Sequence, residues 1–216
     1  MINYNLFKKV IELLKSYFLG IGLIIIVVMV IILPLDFIVT RYLHFESIVG
    51  LIHQTQNRYD NYPIYLTVFI GPFIEEILFR LGLVVNKKNI SIFLSILVHE
   101  ILRRSFIKLD FQNVLYFYII VLTVISFILA WTYLTPQIIN SIQKKKKWLI
   151  VFSIISFGLL HITNIKIIHP ELILFYPFFV LPQSIMGYFI TNLRLKNGFF
   201  WGLLLHSLFN FIAIVL

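Results

Sequence analysis

A chain of 216 residues that is 60% hydrophobic and only 12% charged carries more apolar surface than a soluble domain of its size can bury, since ordinary domains are about half apolar and a quarter charged. Its formal net charge is +9, but the basic residues fall in short clusters between apolar stretches, the pattern of membrane-protein loops rather than of a nucleic-acid face. No nucleic-acid partner is expected, and the absence of cysteine excludes disulfides, thiolate metal sites and a cysteine nucleophile.

A spanning helix needs about 20 mostly apolar residues, and lipid forces exposed backbone to be helical. Seven segments qualify: 17–39, 62–85, 90–107, 114–139, 148–165, 172–193 and 198–216. The first is too long for a signal-peptide core. Pro34, Asp36 and Arg41 follow its apolar run instead of a small-residue cleavage site, so it reads as a retained span. The third is interrupted by His99, Glu100, Arg103 and Arg104, which fits a short, tilted or half-inserted segment. The expected fold class is therefore all-α, a polytopic transmembrane helix bundle of about seven spans forming one membrane domain, 1–216.

With the N-terminus in the cytoplasm, Lys8, Lys9, Lys15, Lys87, Lys88, Lys144 to Lys147, Arg194 and Lys196 fall inside. Arg41, Arg58, Arg103, Arg104, Lys108 and Lys166 fall outside. That is eleven basic residues against six, with Arg80 counted as intramembrane, and the bias favours this orientation. The run Lys144–Lys147 reads as a topology anchor, the sharper alternative being an anionic-lipid contact. The segment 40–61, with His44, Glu46, His53, Arg58 and Asp60, reads as a solvated loop.

Ionisable residues at bilayer depth are costly and therefore candidates for function. Glu75 and Glu76 lie past the middle of the second segment. Arg80 is four residues beyond Glu76, on the same helix face, as in a helical ion pair. Glu75 is rotated about 100° off that face, so Glu76 is the expected structural carboxylate and Glu75 the expected base. In the fifth segment His161 shares a face with Phe157 and with Asn164. In the last, His206 and Asn210 are four apart and can donate jointly to one oxygen, as an oxyanion requires. The competing reading of these pairs is interhelical hydrogen bonding. Together they supply a carboxylate base, a histidine to share a water and two neutral donors, the parts for acid/base hydrolysis of an amide. Ser207 points away from His206 on the helix, so activated water is expected rather than a serine nucleophile.

The motifs Glu-Glu-x-x-x-Arg at 75–80, Phe-x-x-x-His at 157–161 and His-x-x-x-Asn at 206–210 resemble those of the CPBP family of intramembrane glutamic endopeptidases, also called the CAAX-protease, bacteriocin-processing or Abi family. The resemblance covers 62–216, with Gly198 opening the final helix. It implies that Glu75 activates the hydrolytic water, that His161 helps to hold it, and that His206 and Asn210 stabilise the oxyanion. Glu76 and Arg80 would orient the site, and Phe157 would pack beside His161. Two departures stand out: Leu81 follows the arginine where the family usually has glycine, and residues 81–156 separate the first two motifs, including an inserted helical pair at about 90–139.

The resemblance implies a metal-free site acting on membrane-associated proteins or peptides in the bilayer. A zinc-dependent membrane protease using Glu75, His161 and His206 as three ligands is the metal alternative. Non-catalytic alternatives are a membrane scaffold or immunity-type sensor and, with less support because no inverted halves occur, a transporter. His99-Glu100 does not extend to a zincin signature, because Arg103 stands where the second histidine would be. The Lys-, Ile-, Phe- and Asn-rich composition points to an AT-rich prokaryotic genome, hence to a prokaryotic cell membrane.

Overall fold

The computed structural model describes residues 4–56, 63–106, 112–165 and 167–215. Arg58, Asp60, Lys108 and Lys166, used above for loops and orientation, lie outside the described residues. Among the described residues every regular element is helical and there is no strand. Three helices are long and apolar enough to cross a membrane: Asn5–Arg41, Val114–Tyr133 and Lys146–Asn164. Phe199–Ile214 is apolar but shorter. Only 6% of the Val114–Tyr133 window is buried within the protein. So much exposed apolar surface is stable only against lipid, and the chain is an α-helical membrane protein.

The chain divides into two compact units, Met1–Phe73 with Val151–Leu216, and Ile74–Ile150.

In the first unit, α1 (Tyr4–Val27) passes through a π-helical turn, Val28–Ile32, into α2 (Leu33–Arg41). A second π turn, Leu66–Ile70, leads into α4 (Gly71–Arg80), which begins in the first unit and continues in the second from Ile74. Both have one local cause. Each is followed by X-Pro, Leu33-Pro34 and Gly71-Pro72. Proline has no N–H and its ring collides with the carbonyl four residues back. Widening the turn to an i→i+5 bond, Leu33 N–H to Val28 O and Gly71 N–H to Leu66 O, moves that carbonyl aside.

The segment expected as a solvated loop contains α3 (Ile48–Gln56), which buries Ile48 and Leu51 in a cluster with Val39, Leu172 and Tyr176. Its start is fully capped. Ser47 Oγ accepts from Gly50 N–H at 2.9 Å. Asp36 Oδ1 accepts from the N–H groups of Ile48 and Val49 at 2.8 and 3.2 Å, and Asp36 Oδ2 accepts from Ser47 Oγ at 2.7 Å. A serine at the cap is recognisable in sequence. A carboxylate eleven residues upstream, satisfying two further donors and opposing the helix dipole, is not.

The sixth expected segment is broken. Prolines at 170, 177 and 182 each open a new helical piece, giving a 3₁₀ turn at Pro170–Leu172, the short α9 (Tyr176–Phe179) and α10 (Leu181–Asn197). A tight turn joins α10 to α11 (Phe199–Val215). Gly198 sits there at φ 103°, ψ 176°, and its N–H closes α10 on Arg194 O at 2.8 Å. Only glycine enters that region cheaply. Gly198→Ala is expected to lower stability by about 1–3 kcal/mol, measured by thermal unfolding in detergent.

Helices α1, α10 and α11 share a core of Leu13, Ile190, Leu193, Leu205 and Phe209. They approach closely because small residues stand at the crossings: a Cβ on Gly20 would lie 2.6 Å from the Phe209 ring, and one on Gly202 would lie 2.7 Å from Arg194 Cβ. Glu12 accepts from Lys196 Nζ and Asn197 Nδ2, both at 2.8 Å, which holds the start of α1 against the end of α10.

In the second unit, α5 (Lys87–Phe106) packs along α6 (Gln112–Tyr133). His99 Nδ1 and Thr123 Oγ1 are 3.1 Å apart across that contact. Glu100 takes Arg103 in a two-bond fork, at 2.9 and 2.7 Å, and Arg104 at 2.6 Å, so one carboxylate offsets half of the cationic charge that interrupts this apolar segment in its last turns. The span expected to reach residue 139 ends at Tyr133 instead. Thr135 caps a separate helix, α7 (Pro136–Lys144), with proline in its first turn, and α8 (Lys146–Leu160) follows one residue later.

Candidate functional site

Glu76 and Arg80 belong to the second unit and are both fully buried. Arg80 Nη1 donates to Glu76 Oε1, i+4 to i along α4. The arginine occupies the last residue of the helix, where the dipole favours a cation, and the backbone then tightens into a 3₁₀ turn, Leu81–Leu83. Glu75, one residue before Glu76 and turned away from Arg80 by the helical twist, is half-buried.

Phe157, His161, His206 and Asn210 belong to the first unit. The Phe157 ring, wholly buried, receives two imidazoles edge to face: His161 at 4.9 Å and 65°, His206 at 5.5 Å and 83° between centroids and planes. The structure thus brings together two histidines 45 positions apart, at 161 and 206. His206 is 1% exposed. His161 stands where α8 tightens into a 3₁₀ turn, His161–Asn164, a geometry that stacks residues three apart and sets Asn164 over His161. His161 Nδ1 lies 2.8 Å from Phe157 O. A carbonyl only accepts, so Nδ1 carries the hydrogen, and in the neutral ring Nε2 keeps its lone pair as an acceptor.

Asn210 has a contact the sequence did not disclose. Its Nδ2 donates to Thr67 O at 3.0 Å. In the π register that carbonyl should receive the N–H of residue 72, which is proline. Asn210 therefore fills the bond that Pro72 cannot make, as intramembrane side chains do beside helix breakers, while its amide keeps a second N–H. The signals were present separately: an X-Pro pair in one apolar segment and an asparagine in another. Nothing in either indicates which carbonyl the amide would reach.

This bond carries a prediction. Asn210→Leu is expected to cost about 1–2 kcal/mol, because it leaves a partly buried carbonyl unsatisfied. Pro72→Ala, which restores an N–H four to five residues beyond Thr67, is expected to recover much of that loss in the double variant. Thermal unfolding of the four proteins of this cycle gives the coupling, and additive losses would rule out the shared carbonyl.

Among the described residues no group of three or more His, Asp or Glu side chains is arranged to hold a metal ion. Ser207 is buried with its Oγ unbonded among the described residues.

Fold and side chains together define an all-helical membrane protein with a buried ion pair in one unit and a histidine pair gathered on an aromatic ring in the other. No protein-family model matches the chain, no curated protein is similar to it, and no solved structure matches it.

Proposed function

We propose that this protein is an intramembrane endopeptidase that hydrolyses peptide bonds of membrane-associated proteins or peptides, with a carboxylate-activated water. The observation that carries the proposal is the pair of imidazoles on Phe157. His161 has its Nδ1–H committed to a carbonyl, which leaves Nε2 to accept a hydrogen bond from water. His206, in a dry environment, is suited to donate to an oxyanion. Glu75 is assigned the proton of the attacking water. Hydroxide adds to the carbonyl carbon, His206 and the second N–H of Asn210 donate to the resulting oxyanion, and Glu75 returns the proton to the leaving amine. Glu76 and Arg80 hold the helix that carries Glu75, and Asn164 flanks His161.

The same proposal takes the chain as a seven-span protein of a prokaryotic cell membrane with its N-terminus in the cytoplasm. Residues 64–83 stay helical through π, α and 3₁₀ turns, long enough for a second crossing. The Glu12–Lys196 pair sets the basic clusters of α1 and α10 at one end of the first unit, in keeping with a common cytoplasmic side.

The test compares the N- and C-termini of membrane proteins in cells carrying the wild-type chain, no chain, or Glu75→Gln. A terminus that needs the wild-type chain and vanishes with the variant supports the proposal. A second reading, a non-catalytic membrane scaffold, is favoured by the Asn210–Thr67 bond, which gives one proposed oxyanion donor a purely structural task. The Pro72→Ala/Asn210→Leu variant separates the two: regained stability without regained cleavage assigns Asn210 to chemistry as well.

A further inference from the structure

Helix α7 is nine residues long, about 13 Å at the helical rise, too short to cross a bilayer. It joins the end of one candidate span, Val114–Tyr133, to the start of another, Lys146–Asn164, and none of its residues is buried. Ile138 and Ile142, four apart, line one face, with Gln137 and Ser141 beside them. A shallow cleft of about 280 Å³ is lined by these four residues and by Lys145.

Cationic and aromatic side chains collect at the same end of the second unit. Lys144 to Lys147 close α7 and open α8. Lys87 Nζ, at the start of α5, lies 5.2 Å from the centre of the Trp131 ring near the end of α6, a cation–π contact that places the Lys87–Lys88 pair beside the α6 terminus. Tyr133 and Trp148, on the two flanking helices, are 71% and 77% exposed, as aromatic side chains at a membrane–water interface are. No aspartate or glutamate occurs between Gln112 and Ile150, so nothing within that stretch neutralises the lysines.

We propose that α7 and Lys144–Lys147 form an interfacial binding site for anionic phospholipid. The Ile138–Ile142 face lies against acyl chain, Lys145, which lines the cleft, takes the phosphate, and the neighbouring lysines hold further anionic headgroups. An apolar stripe beside a cationic cluster on a short exposed helix matches an amphiphile with an anionic head. A topology anchor needs the charges but neither the stripe nor the cleft.

The site is tested in detergent micelles, where no membrane topology exists. The full chain with Trp201→Phe leaves Trp131 and Trp148 to report quenching by brominated lipid. Brominated phosphatidylglycerol is expected to half-quench at a mole fraction at least about tenfold lower than brominated phosphatidylcholine, since one lysine near an anionic surface is worth about fivefold. Changing Lys144–Lys147 to glutamine should shrink that ratio to about twofold or less, while changing them to arginine keeps it. Ile138→Ser/Ile142→Ser should weaken quenching by both lipids. Equal quenching by the two lipids in the wild-type chain, or a ratio untouched by the glutamine changes, overturns the proposal. Displacement by soluble glycerol phosphate would show a headgroup-only anion site and equally overturn it. None of these readouts depends on the proteolytic function.

Discussion

Arg80→Ala is expected to be the most destabilising single change in the second unit, by about 3–5 kcal/mol. Arg80 and Glu76 are both wholly buried and paired along α4. Removing the guanidinium takes the ion-pair partner from a carboxylate far from water, and breaking a buried pair costs about that much. Replacing both partners with apolar residues of similar size removes the desolvation cost as well. Glu76→Leu/Arg80→Met should therefore unfold within about 1–2 kcal/mol of the wild type. Thermal or denaturant unfolding in a single detergent measures both. If Arg80→Ala unfolds like the wild type, the pair contributes no net stability and Glu76 is held by something else. Arg80→Lys is expected to fall between, since a single ammonium lacks the planar fork of the guanidinium.

Glu75→Gln should give the largest effect on activity. The substitution keeps size and hydrogen-bonding capacity and removes the proton acceptor. Losing a positioned general base lowers rates by about 10²- to 10⁴-fold, equivalent to about 3–5 kcal/mol of transition-state stabilisation. Because Glu75 is half-buried whereas Glu76 is wholly buried and paired with Arg80, unfolding of this variant should shift less than that of Glu76→Gln. Glu76→Gln should show the converse, losing stability because the buried arginine is left with a neutral partner. The two glutamates are thus distinguished by which measurement moves. Wild-type cleavage by Glu75→Gln at normal protein level would end the hydrolytic assignment, and a cleavage loss that merely follows unfolding would return Glu75 to a structural role.

The two neighbouring carboxylates also show how far local sequence reaches. The spacing of Glu76 and Arg80 is enough to place them on one helix face, because the helical repeat is a local property, and the pair forms. Local chemistry likewise sets the helix ends: X-Pro generates both π turns, Pro177 and Pro182 split the sixth segment, Thr135-Pro136 opens α7, and Gly198 closes α10. Counting apolar residues over long windows misses these breaks, which is why the fourth segment runs on to residue 139 and the polar stretch 40–61 reads as loop although Ile48 and Leu51 are core.

By itself, then, the sequence determined the helical class, the lipid environment, the Glu76–Arg80 pair and the positions where helices must stop. All follow from composition or from contacts within one or two turns. Tertiary structure decided which distant groups meet: Asp36 on the first turn of α3, His161 and His206 on the Phe157 ring, and Asn210 on the carbonyl that Pro72 leaves unbonded. An unsatisfied donor or acceptor inside an apolar protein must find a partner, but the demand is blind to position along the chain. Only packing fixes which side chain comes within about 3 Å to meet it.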